Sequence, residues 1–409
     1  MDNLSHSVVG LAVGEFVHRS LPQEADDERQ RTRRRLLLLS CWTASNFPDL
    51  DLVLTPLLPE PLGYLLHHRG HTHTLLYAIP QALLLWAAIR LLWPSARRLL
   101  KESATARSGM LFSIVLGFAL HMLMDYLNSY GIHPFHPFDS RWLYGDMVFI
   151  LEPVFWIAFG VPMAMAVQRP ALRALLLALL IGVPLFFTIR DYLSWASFAA
   201  LAFIALLIGT LQRSSGPNGR QGLIAALCVG LAFIGMQGFA SGKARQLIAS
   251  TLQEKDPTSR FLDASLTSFP ANPVCWNFVS MESNNDAGSY TLRRGVLSLA
   301  PEMLSPAECP TSLSGNPPEG DAAPAIAFLT EEHGSLDMLR TLKANNCHFE
   351  AWMRFARAPS VNESTASDIR FSATPNGNFT TLDLAKFDGK DCPRLVPQWD
   401  FPRADLLAR

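Results

Sequence analysis

Six apolar runs, at residues 75–93, 110–127, 148–167, 171–189, 192–211 and 222–240, dominate the chain before residue 242. Each approaches the ~20 residues that carry a helix across a hydrocarbon core of about 30 Å, where only a helix or a closed barrel satisfies its own backbone. The chain is therefore expected to form a mainly α, polytopic membrane helical bundle. Two earlier segments, 4–21 and 36–47, are shorter or more polar and are expected to cross only in part. His6 and Glu15 interrupt the first of them, so it lacks the pattern of a cleaved signal peptide and is expected to be retained. With a mean hydropathy of +0.17 and 17% charged residues, the chain is too apolar for an average soluble enzyme, and its 409 residues suffice for two or three domains.

Net charge is −1 and discriminates little between partners, but the placement of Lys and Arg does. Arg31, Arg33 and Arg34, then Arg97, Arg98 and Lys101, then Arg169 and Arg173, then Arg213 and Arg220 mark one set of loops. The intervening loops hold only Arg69, Arg141 and Arg190. If basic loops stay in the cytoplasm, the apolar segments alternate without conflict and the remaining polar clusters face the periplasm. The same alternation places residues 243–409 outside. That segment is polar and rich in Pro, Asn and Ser, with strand-like stretches at 274–281, 289–299, 325–329, 347–355 and 369–373. It is expected to be a soluble β-rich (α+β) domain, with Cys275, Cys309, Cys347 and Cys392 able to form two disulfides in any of three pairings. Cys41 and Cys228 sit in apolar helices and read as packing residues.

Nine of the eleven histidines fall in the first 136 residues, beside carboxylates. Imidazole and carboxylate are common ligands of zinc and manganese, and ionisable groups next to a bilayer are costly, so the clustering points to metal. His121 and Asp125 are four apart and share a helix face that Asn128 extends, although a core histidine bonded to a carboxylate has the same spacing. Asp49 and Asp51 follow Pro48, so one can bind while the other bridges or orients a ligand; an Asx-turn or helix cap accounts for such a pair equally. His67, His68, His71 and His73 crowd seven residues with no packing rationale, and Gly70 permits the turn that brings His71 or His73 toward other ligands. Arg69 is suited to clamp a phosphate oxygen. His6 heads a stripe with Gly10 and Gly14 that lets another helix approach closely. His133, His136, Asp146 and Glu152 are placed near the same face, in ligand or supporting roles.

The series Ser5-His6-x-x-x-Gly10, Phe47-Pro48-Asp49-x-Asp51, His68-Arg69-Gly70-His71-Thr72-His73, His121-x-x-x-Asp125 and a Pro-Phe loop resembles the bacterial YdjM-like inner-membrane metal-dependent hydrolases over roughly residues 1–165. That family looks distantly similar to zinc-dependent phospholipases C and P1-type nucleases, helical bundles that grip up to three zinc ions. The resemblance implies ligand roles for His6, Asp49, His71 or His73, His121 and Asp125, with Asp125 a candidate bridge. The first motif has Ser5 where threonine is more common, and the later His and Glu ligands of the phospholipases have no clear counterpart.

Together these lines divide the chain into a hydrolase-like membrane domain (1–165), additional transmembrane helices (166–242) and an extracytoplasmic domain (243–409). They predict a bacterial inner-membrane, metal-dependent hydrolase of a lipid or lipid-linked phosphoester. Divalent ions, zinc foremost with manganese second, are the expected cofactor; His6, Asp49, His71, His73, His121 and Asp125 are the candidate ligands, and Asp49, Asp51 and Arg69 the candidate catalytic groups. No Gly-x-Ser-x-Gly or Gly-rich phosphate loop suggests another nucleophile, and few outer cations disfavour a nucleic acid partner. The competing reading is a non-catalytic membrane protein with a structural metal and a C-terminal domain that binds a protein partner.

Overall fold

The computed structural model describes residues 1–314, 322–371 and 377–408. Its first half is helical: α1 (Asn3–Ser20), α2 (Asp27–Ala44), α3 (Leu62–His67), α4 (Leu75–Leu92), α5 (Pro94–Glu102), α6 (Ala104–Tyr126), α7 (Pro153–Met165), α8 (Pro170–Ile189), α9 (Trp195–Ser214) and α10 (Gln221–Lys255). Among the described residues, α4, α6, α8, α9 and α10 are long and apolar enough to cross a membrane. In α4 the most apolar window is only 6% buried by protein, which suits a helix solvated by lipid.

The run at 148–167 departs from its expected span. Its helix, α7, has 13 residues, or ~20 Å at 1.5 Å per residue, too short for a ~30 Å core. Residues 146–151 are spent in an irregular approach, and the Glu152 side chain caps the helix by accepting from the Val154 N–H. Every residue from Pro153 to Pro162 is buried, because α7 is the axle on which α1, α8, α9 and α10 pack. The glycine stripe of α1 lies against α2: a Cβ on Gly14 would stand 2.9 Å from the Leu37 carbonyl oxygen. Further along α2, a Cβ on Gly117 of α6 would stand 2.7 Å from the Cys41 oxygen. α1, α2 and α6 thus approach at backbone contact, which aligns the two helices that carry His6 and His121.

The last long helix runs through Gly242 without a break and ends at Lys255. Ala240, Ala244, Ile248 and Leu252 repeat every four residues along one face and pack on the sheet that follows. That sheet contains β1 (Arg260–Ser268), β2 (Cys275–Asn284) and β3 (Ser289–Ser298), then, after a turn of helix α11 (Thr311–Ser314), β4 (Ala322–Ala323) and β5 (Ile326–Ser335). The order is β1-β2-β3-β5-β4, antiparallel throughout. Two helices, α12 (Leu336–Asn345) and α13 (Cys347–Met353), lead to a small sheet of β6 (Pro359–Val361), β7 (Thr365–Asp368) and β8 (Leu382–Asp383), and α14 (Ala404–Leu407) closes the chain.

Two of the expected strands are not strands. The stretch at 347–355 is mostly α13, because Asn346 caps it by accepting from the His348 and Phe349 amides, and Phe349 and Trp352, three apart, are both fully buried. At 369–373, residues 369–371 form a turn after β7, and 372–373 lie outside the described residues. The strand β1 has no counterpart among the expected stretches.

The C-terminal domain docks on the loops of the helical half through an apolar cluster that joins Leu62, Leu65 and Leu66 of α3 to Trp352, Phe355 and Trp399. Beside it lies a buried ion network. Arg357 donates to Asp146 at 2.8 and 2.9 Å and to Asp263 at 2.7 Å, while Arg245 bonds both acids at 2.7 Å. The disulfides are Cys275–Cys309 and Cys347–Cys392. Closing loops of 34 and 45 residues, each contributes ~4 kcal/mol by the chain-entropy argument. Alkylation of the denatured, unreduced protein is expected to label two thiols, Cys41 and Cys228, and all six cysteines after reduction, as counted by intact mass. More than two labels before reduction would contradict the pairing.

Candidate metal centre

Four segments meet at one end of the bundle. α1 supplies His6 and α6 supplies His121 and Asp125. A 3-10 segment, Pro48–Leu57, starts with proline at its first position, where no amide partner is needed, and turns both Asp49 and Asp51 inward. A second 3-10 turn, His71–His73, contributes His73. It is launched by a tight reversal in which Arg69 takes a left-handed conformation (φ 57°) and donates its amide to Asp51 Oδ2 at 2.9 Å. A Cβ on Gly70 would stand 2.7 Å from the His67 oxygen, so glycine is required there.

Asp49, His73, His121 and Asp125 are all buried, and each offers a ligand atom within 4.8 Å of the others. His73 Nε2 lies 3.1 Å from Asp125 Oδ2 and 3.4 Å from Asp49 Oδ1; His121 Nε2 lies 3.4 and 3.7 Å from the same two oxygens. The two Nε2 atoms are 2.9 Å apart. His121 Nδ1 donates to the Ser45 carbonyl at 2.8 Å, which leaves a lone pair on its Nε2. Asp125 Oδ2 is buried without a hydrogen bond of proper geometry. Facing imidazole nitrogens beside an orphaned carboxylate oxygen form a donor set that a cation can occupy once His73 gives up its proton, and two imidazoles with two carboxylates suit zinc or manganese.

His6 borders this set, with Nε2 3.3 Å from Asp125 Oδ1 and its ring stacked on His121 at 4.2 Å. Arg69 Nη2 bonds the same Oδ1 at 2.9 Å, Arg69 Nη1 bonds Asn128 Oδ1 at 3.0 Å, and the Met1 nitrogen also touches Oδ1. Asp51 stands behind His73, 3.2 Å from its Nδ1, and also accepts from the Thr72 hydroxyl at 2.8 Å. His68, which the sequence singled out only as one of four, completes a second group with Asp49 and Asp51, with its Nδ1 3.1 Å from Asp51 Oδ1. Its signals in the sequence are the crowding of four histidines into seven residues and its place at the head of the His68–His73 motif.

Other residues go elsewhere. His71 turns away from the four ligand atoms toward Trp399, Tyr77 and His136, at ring separations of 4.8, 5.3 and 5.3 Å. His133 stacks on Trp399 at 3.7 Å. Asp146 serves the interdomain ion network, and Glu152 accepts from the Ala271 amide at 3.1 Å. These four sit against the C-terminal domain, so an expected place at one face of the membrane does not separate candidate ligands from docking residues.

Burial lowers the His73 pKa, but the Asp125, Asp49 and Asp51 carboxylates beside the ring outweigh it and raise the group to about 10. Burial raises Asp49, yet the His73 bond and the His121 charge bring it down to about 2; Asp51 is likewise held below the usual carboxylate range by His68 and His73. In the metal-free protein His73 is therefore protonated at neutral pH and must lose that proton to bind a cation. Zinc uptake at pH 7 is expected to release a proton, and apparent affinity to rise about tenfold per pH unit up to the His73 pKa of about 10. Calorimetry in buffers of different ionisation heat reads this directly, and a pH-independent affinity contradicts it. Asp51→Asn should weaken zinc binding ~10- to 100-fold in chelator competition, whereas His71→Ala should leave it within about twofold.

Residues 1–244 match the family described as YdjM inner membrane protein. Over 158 residues the chain is 27% identical to YfhP of Bacillus subtilis (strain 168), an uncharacterized protein. That match covers 39% of this chain and 44% of YfhP, so the chain spans less than half the length of this relative. No solved structure matches. The family match takes in more than half of the 409 residues, including every segment that builds the donor cluster, and the chain belongs to the YdjM inner membrane protein family.

Proposed function

We propose that this protein is a membrane-bound, metal-dependent hydrolase that cleaves a phosphoester of a lipid or lipid-linked substrate at the periplasmic face of a bacterial inner membrane. The observation that carries the reading is the convergence of Asp49, His73, His121 and Asp125 within 4.8 Å at the rim of a helical bundle. A divalent cation held there, zinc before manganese, would supply an acidified water and a Lewis acid for an ester oxygen. The chain's own groups do the rest. Arg69 and His6 fix Asp125 Oδ1, which leaves Oδ2 to face the imidazoles. Asp51 holds His73 by its Nδ1, so that Nε2 points to the centre. Asp49, at 7% exposed against 0% for His73, His121 and Asp125, is the group on the solvent side, suited to receive a proton from the attacking water.

Two features support the location. The basic ends of α1, α2, α5 and α9 gather opposite the cluster: Arg29 bonds Glu102 at 2.6 Å, and Arg19 bonds the Gly219 carbonyl. By the positive-inside rule that end is cytoplasmic and the cluster periplasmic. A lipid substrate is favoured by the segment that carries the two aspartates, because Leu50, Leu52 and Val53 between and after them are exposed at 57, 44 and 76%. Such a face is costly in water and stable in an acyl-chain environment.

Detergent-purified protein loaded with zinc or manganese is expected to hydrolyse phosphodiester or phosphomonoester lipids, and His121→Ala and Asp125→Ala to lose at least ~100-fold of that rate. Bound metal with equal turnover in all three proteins removes the catalytic assignment and leaves a structural metal.

A further inference from the structure

Where the C-terminal sheet meets the loops that flank α6 and α7 lies a cleft of about 280 Å³. Its lining contains two arginines, Arg294 and Arg370, and no carboxylate among the described residues. Arg370 is spoken for, bonded to Asp368 at 2.8 Å and to the Ser129 oxygen at 2.8 Å. Arg294 is different. It sits mid-strand in β3 opposite Val279, half-buried, and its guanidinium makes no hydrogen bond or ion pair among the described residues. The neighbouring Arg293 is held by Glu331 at 2.8 Å, and Glu332, the acid whose charge reaches Arg294, takes the Ser360 hydroxyl at 2.7 Å.

Two residues that line the same cleft, Asn128 and Tyr130, each carry a buried donor without a partner among the described residues. Asn128 is 5% exposed, and its Oδ1 accepts from Arg69 Nη1 at 3.0 Å and from the Tyr130 amide at 2.9 Å, which fixes the amide orientation. Its Nδ2 is then left without an acceptor. Tyr130 is 6% exposed and its hydroxyl is also unpartnered. A buried donor without an acceptor is destabilising, and the half-buried Arg294 guanidinium, reached by the Glu332 charge but hydrogen-bonded to no partner among the described residues, adds to the imbalance. One ligand chemistry answers all three: an oxyanion with several acceptor oxygens, and a cleft this large takes a phosphate with organic substituents more readily than a bare ion.

We propose that this cleft binds a phosphate ester group through Arg294, Asn128 Nδ2 and the Tyr130 hydroxyl. Binding rests on the cleft alone; that the bound ester is the substrate's headgroup rests on the hydrolase reading. The geometry connects the two sites, since Asn128 bonds Arg69 and Arg69 bonds Asp125. Arg69 thus bonds a residue that lines the cleft through Nη1 and the metal centre through Nη2.

The test uses the full chain in phosphatidylcholine nanodiscs with glycerol phosphate as probe, followed by calorimetry and phosphorus NMR. Saturable binding is expected, weakened about tenfold or more by Arg294→Gln, the equivalent of one charge-assisted hydrogen bond at ~1.4 kcal/mol per decade. Arg294→Lys should retain part of the affinity. Asn277→Asp, which adds a negative charge to the lining without changing side-chain size, should weaken binding in the same direction and guards against misfolding of the arginine variants. His121→Ala should bind normally, so loss of hydrolysis and loss of this subsite are read separately. In phosphatidylglycerol discs, a weaker apparent affinity for the probe assigns the site to bilayer headgroups, and an unchanged one assigns it to a soluble ester. No saturable binding in phosphatidylcholine discs, or equal affinity in wild type, Arg294→Gln and Asn277→Asp, overturns the proposal.

Discussion

An ionised carboxylate fully withdrawn from water at the end of a membrane helix must be compensated on every side, and Asp125 organises the surrounding structure through that requirement. Its Oδ1 draws Arg69 and His6, and its Oδ2 faces His73 and His121. Each of these comes from a different segment. Arg69 reaches Asp125 from a left-handed backbone conformation, and Asp51 stabilises that conformation by accepting the Arg69 amide. The positions of the two 3-10 turns, and with them the shape of the whole rim, therefore follow from neutralising one acid.

Charge compensation recurs at the seam between the two halves. Asp146 belongs to the helical half, Asp263 and Arg357 to the C-terminal domain, and Arg245 to the helix that joins them. Removing one member leaves another charged and buried, a loss on the order of 3–5 kcal/mol. The apolar cluster of α3 with Trp352, Phe355 and Trp399 holds the same seam on its other side. The domain consequently forms a wall of the rim.

Legibility in the sequence tracked locality. The apolar runs revealed five long helices because length and hydropathy are properties of contiguous residues. They overstated α7, since burial inside protein and burial in lipid select the same side chains. Asp49, His73, His121 and Asp125 stood out by spacing beside apolar helices, and the structure brings them together. Spacing did not decide between His71 and His73, because the choice depends on a backbone reversal at Arg69 and Gly70 that reverses the direction of the next turn. The stretch at 347–355 alternates like a strand, yet the Asn346 cap and the pairing of Cys347 with Cys392 settle it as a helix. Disulfide partners and the Arg357 network join residues far apart in the chain, where no local pattern carries information.

The helix α10 has 35 residues, a rod of ~52 Å, of which a bilayer core takes only ~30 Å. The remainder is a stiff post bolted to the sheet by Ala240, Ala244, Ile248 and Leu252. A post permits neither swivel nor drift, so the altitude of the sheet above the lipid is set by helix length, and thickening or thinning of the bilayer would tilt the whole headpiece as one piece.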